Sequence, residues 1–333
     1  MEYRYLGRSA LKVSPLCLGA MMFGRETDEA TARRIIGKAA EQGVNFLDTA
    51  DVYRGGRSEE VVGRALAGSR DRWVVATKFG FSKGDSPNES GQSAKWIHQT
   101  VEASLKRLAT DYVDILYFHR ALPDVPLEEG IRAVGDLIRQ GKLRYWGVSN
   151  FRGWRIAEAV HIAERVGAPP PVASEPLYNI TDRSAEVEQI PAAAHCGLGV
   201  VSYSPLARGV LSGKYRAGEP PPPDSRAGRG DRRIQQTEYR PESMAIARQV
   251  AERAQAIGTT AVGYALAWVL RNRLISATIA GPRTEAQWDG YLAALNVAFD
   301  DSDEAFIDGL VHPGHASTPG YSDPQYPIEG RRI

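Results

Sequence analysis

Four residues in the first half of the chain stand where short apolar runs turn abruptly polar. Asp48 and Tyr53 follow residues 44–47, Lys78 follows 73–77, and His119 follows 113–118. Such a change marks a strand reaching a surface, and in barrels of alternating strands and helices that surface is where chemistry is done. A Tyr hydroxyl ionises near ~10 in water, too weak an acid to help much at neutral pH, but a nearby ammonium favours the phenolate and lowers that value. Lys78 is placed to supply the charge and Asp48 to hold and neutralise Lys78. His119 can donate a hydrogen bond to a substrate oxygen. Taken singly, each has a structural alternative: an Asp48–Lys78 ion pair, a rim aromatic at Tyr53, a core histidine at His119.

The elements that must carry these groups repeat with a regular beat. Strand-type runs occur at 14–20, 44–47, 73–77, 113–118, 145–148, 172–174, 199–202 and 275–280. Amphipathic helical stretches lie between most of them, at 28–42, 58–66, 95–108, 127–140, 152–166 and 184–195, the first with Thr27 placed as its cap and Gly43 as its end. Strict alternation predicts parallel strands with right-handed crossovers, and eight units predict an α/β fold closed as a (β/α)8 TIM barrel. A doubly wound open sheet is the rival. It is disfavoured by the count and by the lack of a GxGxxG turn opening a helix; Gly197 and Gly199 lead into a strand instead, and no Walker A motif is present. Residues 3–6 and 11–13 flank a Gly7-Arg8-Ser9 turn, predicting an N-terminal β-hairpin that plugs one end. Extra helices are expected at 242–257, 284–295 and 303–310, with long loops on the C-terminal face of the barrel. The Pro-, Gly- and Arg-rich loop at 216–240 and the tail at 312–333 belong to one domain spanning 1–333.

Composition narrows the partners. The 333 residues are 43% hydrophobic and 24% charged with net charge +1, enough for a sizeable core and no basic excess to attract nucleic acid or an anionic membrane. Only Cys17 and Cys196 are present, outside any CxxC pattern, and no charged-then-apolar leader opens the chain, so a cytoplasmic protein with reduced thiols is expected. No apolar run approaches the roughly 18 residues of a membrane span. No metal is expected, and monomer and assembly are both compatible with the charge. The sequons at Asn88 and Asn179 and the Arg229-Gly230-Asp231 triplet are read as accidental.

With DTADVY (48–53), ATKFG (76–80), YFHR (117–120), GKLRYWGVSNF (141–151), YSPLARGVLSGKY (203–215) and IAGPRTEAQW (279–288), essentially the whole sequence resembles the aldo-keto reductases. The resemblance implies an NADP-dependent oxidoreductase that moves a hydride between the nicotinamide and an aldehyde or ketone, or the corresponding alcohol. Tyr53 would be the proton donor, Lys78 and Asp48 would lower its pKa, and His119 would orient the carbonyl. NADPH or NADP+ would be bound without a Rossmann fold, consistent with the missing GxGxxG. Ser149 and Asn150 would bond the carboxamide, and Tyr203 would stack on the nicotinamide. Ser204, Pro205, Leu206, Ala207 and Arg208 would follow the pyrophosphate, with Lys214 as a further phosphate candidate. Gly281, Arg283 and Gln287 would grip the 2′-phosphate, where the planar fork of an arginine favours NADP over NAD. Ala20 and Met21 complete the cofactor set, and Phe23, Arg54, Phe81 and Arg120 are the substrate candidates.

The sequence departs from the family at three places. Glu175 stands where a Gln is usual, so part of the carboxamide contact is lost, and a negative charge there would shift relative affinity toward NADP+ and alcohol oxidation; the alternative is a paired or protonated carboxyl. Gly290 and Tyr291 replace a Glu-Asn pair near the adenine, which leaves Tyr291 or Trp288 to stack. Arg54 replaces a common Gly and either reaches the pocket mouth or is solvated. Two other functions are compatible with the fold. One is a nucleotide-binding regulatory subunit with little turnover, against which the sequence shows no N-terminal partner-binding extension. The other is a Schiff-base enzyme using Lys78, which leaves the segments at 149–150, 203–208 and 283 without a role.

Overall fold

The computed structural model describes residues 1–84 and 86–328; the last five residues of the expected tail, 329–333, lie outside them. An antiparallel hairpin, β1 (Arg4–Tyr5) with β2 (Lys12–Val13), opens the chain. Eight parallel strands follow: β3 (Leu16–Gly19), β4 (Phe46–Asp48), β5 (Val74–Phe79), β6 (Val113–Phe118), β7 (Leu143–Ser149), β8 (Ala173–Glu175), β9 (Gly199–Ser202) and β10 (Ile275–Ala280). They pair in sequence order, and β10 returns to β3 to close the barrel. This is the predicted (β/α)8 TIM barrel. Both faces of such strands are covered, which explains why β5 reads as a continuous run and is buried throughout, Lys78 included.

The chain divides into two compact units. The first comprises Met1–Pro176, Glu188–Ser202 and Leu274–Trp288, and holds the hairpin and every barrel strand. Its helices are α1 (Glu29–Glu41), α2 (Arg57–Ala65), α3 (Ala94–Leu108), α4 (Leu127–Arg139), α5 (Gly153–Val166) and α6 (Gln189–His195). Helix α1 buries Ala32, Ile35, Ile36 and Ala39, one stripe at helical spacing. Its cap is Asp28, whose carboxylate accepts from the Thr31 N–H at 2.8 Å, not Thr27 as expected. Thr27 is buried and its hydroxyl donates to the Arg283 carbonyl. The helix expected over 184–195 begins only at Gln189, after a single tight turn at Ser184–Glu186. Pro191 is the reason, since a residue without an N–H fits only a first helical turn.

The hairpin plugs the N-terminal end of the barrel. Leu6 and Val13, fully buried, join Cys17, Phe46, Ala76, Ile115 and Ala277 in one core, in which Leu6, Val13, Phe46 and Ile115 each contribute about 1.5–3 kcal/mol. Gly7 is required at the contact, because with φ +58° its Cβ would meet Gly197 O and Gly199 N at 2.4 Å. With that end plugged, the strand C-termini form the open face.

The second unit comprises Leu177–Val187, Tyr203–Arg273 and the chain from Asp289 on. It holds α7 (Arg232–Gln236), α8 (Pro241–Ala256) and α9 (Ala261–Arg271); α10 (Glu285–Leu292) follows β10, and α11 (Asp301–Leu310) is again in this unit. Helix α9 has no counterpart in the sequence expectation. It is buried from Gly263 to Leu270 and apolar almost throughout, so no polar face marks it off from a buried strand run. The 216–240 segment is tied to the tail by a two-pronged Arg233–Asp323 ion pair and by Arg240, which lies 3.7 Å over Tyr321 and donates to Ser317. Among the described residues, no helix is long and apolar enough to cross a membrane.

Candidate active site

Adjacent strands bring the four sequence candidates together. Asp48 ends β4, Lys78 is the fifth residue of β5, and His119 directly follows β6. Tyr53 opens a tight turn, Tyr53–Gly56, just past β4. The fully buried Lys78 ammonium is ion-paired with Asp48 and donates to the Thr49 carbonyl at 3.0 Å and the Tyr53 hydroxyl at 3.4 Å. The Tyr53 and His119 rings meet edge-on, 5.9 Å apart. Phe81 packs edge-on against the other candidate, His119, at 4.7 Å, and the Arg120 guanidinium lies 4.8 Å over Phe81. One member had no sequence signal: the Thr49 carbonyl is backbone, which carries no side-chain signature.

Burial sets the electrostatics. It opposes the Lys78 charge, yet Asp48, Glu175 and Tyr53 together hold that ammonium above its ordinary value. For Tyr53 the balance runs against the sequence expectation. Burial raises the phenol further than Lys78 lowers it, and Asp48 and Glu175 add to the rise, so its net direction is up. Burial, then Lys78 and Arg120, push His119 well below the ordinary imidazole range, leaving a neutral ring able to donate one hydrogen bond. Burial also raises Asp48 against the pull of Lys78.

Glu175, the last residue of β8, lies 3.6 Å from the Lys78 ammonium. Burial holds its carboxyl well above the carboxylate range; Lys78 lowers it and Asp48 raises it. Burial thus favours the protonated alternative for this position, against the pull of Lys78. Its backbone carbonyl accepts from the Ser149 hydroxyl at 3.1 Å and the Asn150 N–H at 3.2 Å. The Asn150 amide in turn donates to the His119 carbonyl at 3.0 Å. Ser149, Asn150, Glu175 and His119 are thus linked by hydrogen bonds.

The remaining candidates of the first unit sit nearby in the chain path. The Ala20 N–H donates to the Asp48 carbonyl, Met21 is half-buried, and Phe23 is fully buried. Gly281 lies beside Gly19, whose Cβ would come within 3.3 Å of the Gly281 Cα. The Gln287 side chain accepts from the Arg283 N–H at 2.7 Å, fixing the turn that presents the arginine. Arg54 is not a solvated side chain. Its guanidinium pairs with Glu26 at 2.8 Å and touches the Met22 sulfur at 3.1 Å.

In the second unit, the Asn179 amide donates to the Ser204 carbonyl, and Pro205 and Ala207 are buried while Tyr203 and Leu206 are partly exposed. Arg208 donates to Glu238 at 2.7 Å and Thr237 at 3.1 Å. Burial, and then the guanidinium of Arg208, lowers the pKa of Arg226. In the sequence it was one of many loop arginines with nothing to set it apart. The exposed Lys214 rests over the Tyr215 ring at 5.4 Å.

Left-handed backbone marks the same positions. Among the described residues, six non-glycine residues have positive φ: Arg54, Ala109, Asn150, Ser204, Ala207 and Arg208. Ala109 caps the C-terminus of α3. The other five are all candidates drawn from the sequence, and strain of this kind gathers where function fixes the backbone.

Comparison with known proteins agrees with the barrel fold. The model of the aldo/keto reductase family matches residues 15–312. A protein of Arabidopsis thaliana named "probable voltage-gated potassium channel subunit beta" is 37% identical over 302 residues, covering 89% of this chain and 92% of that protein. "Uncharacterized oxidoreductase YrpG" of Bacillus subtilis is 36% identical over 311 residues, covering 90% and 93%. The chain belongs to the aldo/keto reductase family.

Proposed function

We propose that this protein is a cytoplasmic, NADP-dependent oxidoreductase acting on aldehydes and ketones, or in reverse on alcohols, with Tyr53 as the general acid and base. The observation that carries this reading is the Lys78 ammonium, buried between Asp48 and the Tyr53 hydroxyl, with the neutral His119 ring facing the same tyrosine. Bound NADPH supplies the hydride. His119 holds the substrate oxygen near Tyr53, and Tyr53 gives that oxygen its proton while Lys78 steadies the phenolate left behind. The donor set suits a dinucleotide: Ser149 and Asn150 offer side-chain amide and hydroxyl groups, and Arg283 beside Gln287 offers a fork for a 2′-phosphate. The sequence pattern alone brings Tyr203, Ser204 to Arg208, Lys214 and Gly281 into the cofactor proposal. Phe23, Phe81 and Arg120 are proposed to face the substrate, and the rings favour an apolar one.

The test is NADPH consumption with a panel of aldehydes and ketones, run beside Tyr53→Phe, with fluorescence titration by NADPH and NADH. Turnover lost in Tyr53→Phe while NADPH binding persists supports the reading. In Arg283→Ala, NADPH affinity should fall roughly tenfold or more, the worth of a charge-assisted hydrogen bond, with NADH unchanged. A second reading draws on the relatives named as potassium-channel beta subunits, a nucleotide-binding regulatory subunit. Tight NADPH binding without turnover in either direction would favour it.

A further inference from the structure

The Lys78 ammonium has three N–H donors and four oxygen neighbours. Asp48 takes one donor, and the Thr49 carbonyl at 3.0 Å takes another. The third lies between two acceptors at nearly equal reach, the Tyr53 hydroxyl at 3.4 Å and the Glu175 carboxyl at 3.6 Å. The other Glu175 oxygen, Oε2, is buried with no hydrogen-bond partner among the described residues. We propose that Glu175 is a positioning residue that sets the acidity of Tyr53 by competing with it for the third N–H of Lys78. This rests on the reading of Tyr53 as proton donor.

In its ionised form Glu175 wins the contest, because a hydrogen bond from an ammonium to a carboxylate is stronger than one to a neutral hydroxyl. Tyr53 then loses its donor and gains a negative neighbour, and its phenolate is harder to form. In its acid form Glu175 competes weakly, and Tyr53 keeps the ammonium. Burial and Asp48 favour the acid form, and rising pH favours the ionised one. A glutamine, usual in sequences resembling this one, has no such second state.

The groups that face Glu175 leave it as the one that changes charge. Cys17 on β3 and Tyr117 on β6 are held neutral, mainly by burial. Ser149 on β7 is uncharged, and Asp48 on β4 with Lys78 on β5 form a standing ion pair. Glu175 therefore ionises against Tyr53, and each makes the other less acidic. Alcohol oxidation, which needs the phenolate, is restrained at high pH by this contest.

The experiment titrates tyrosinate absorbance in the wild-type and Glu175→Gln proteins, each with its Tyr53→Phe counterpart subtracted. The Tyr53 midpoint should fall by about one pH unit in Glu175→Gln, roughly tenfold in acidity. The rising limb of alcohol oxidation against pH should move with it. An unchanged midpoint overturns the proposal. Should Glu175→Gln not fold, the coupling is read from the other side, because linkage is reciprocal. Carbon NMR of glutamate-labelled Tyr53→Phe should show Glu175 titrating at lower pH than in wild type, and no displacement overturns the proposal. Turnover of nitrobenzaldehyde with NADPH separates the two ideas: turnover without the midpoint shift sinks the role of Glu175 alone, whereas no turnover sinks the reductase reading beneath it.

Discussion

Arg54 holds a left-handed backbone, φ 54°, directly after Tyr53, and its guanidinium meets Glu26 at 2.8 Å. A side chain in that region costs about 1–2 kcal/mol, while a largely sheltered surface pair returns up to roughly 1 kcal/mol. Arg54→Gly should therefore leave stability unchanged or slightly higher, because it relieves the strain as it removes the pair. Arg54→Ala keeps the strain and loses the pair, and should be about 1 kcal/mol less stable in urea denaturation. Equal losses in both variants would show that the backbone is not strained.

The Asp48–Lys78 pair has a reserve partner in Glu175, 3.6 Å from the ammonium. Breaking a buried pair by removing one member usually costs about 3–5 kcal/mol. Asp48→Asn should cost less than that, since Glu175 can ionise in its place. Asp48→Asn combined with Glu175→Gln leaves Lys78 without a carboxylate, and the double-mutant coupling should be on the order of 1–3 kcal/mol. Additive effects in the unfolding free energies would count against the shared ammonium.

Asp51 is fully buried, 3.5 Å from Lys83, and its carboxyl is pushed up to about 6, first by burial, with Lys83 lowering it and Glu59 raising it. An unfolded aspartate ionises near ~3.9, so between roughly pH 4 and 6 the folded chain binds the extra proton. Folding stability attributable to this group therefore falls as pH rises through that window and stays low above it. Asp51→Asn, which keeps the neutral form, should be more stabilising at pH ~8 than at pH ~4 by about 3 kcal/mol. Chemical denaturation at the two pH values checks it, and a pH-independent effect refutes the assignment.

The raised phenol of Tyr53 and the lowered imidazole of His119 fix the pH response of the proposed reaction. Between pH ~6 and ~8 Tyr53 stays protonated and His119 neutral, so kcat/KM for carbonyl reduction should be flat there. Alcohol oxidation needs the phenolate and should climb with pH across the same interval. A bell centred near neutrality for reduction would assign the proton to another group.

Much of the frame was legible from periodicity. All eight strands, the plugging hairpin and six of the intervening helices follow from apolar runs broken by amphipathic ones, because a barrel strand is buried on both faces and its helix on one. Helix α9 was not legible, since a helix buried on every side looks like any apolar run. The cap at Asp28 was missed by one residue because Thr27 and Asp28 are both good acceptors, and only the path of the chain shows which is free to turn back on the helix.

The sequence by itself determined which groups reach the open face, because strand ends are written in the change from apolar to polar: Asp48, Tyr53, Lys78 and His119 meet as the alternation required. It did not determine how acidic they are. The net rise of Tyr53, the raised carboxyl of Glu175 and the oxygens that share the Lys78 ammonium depend on desolvation and on distances among residues 48, 53, 78 and 175. Those distances exist only once β4, β5 and β8 are closed into one barrel. Charges far apart in the chain act through space at a few ångströms, and no local pattern records their sum.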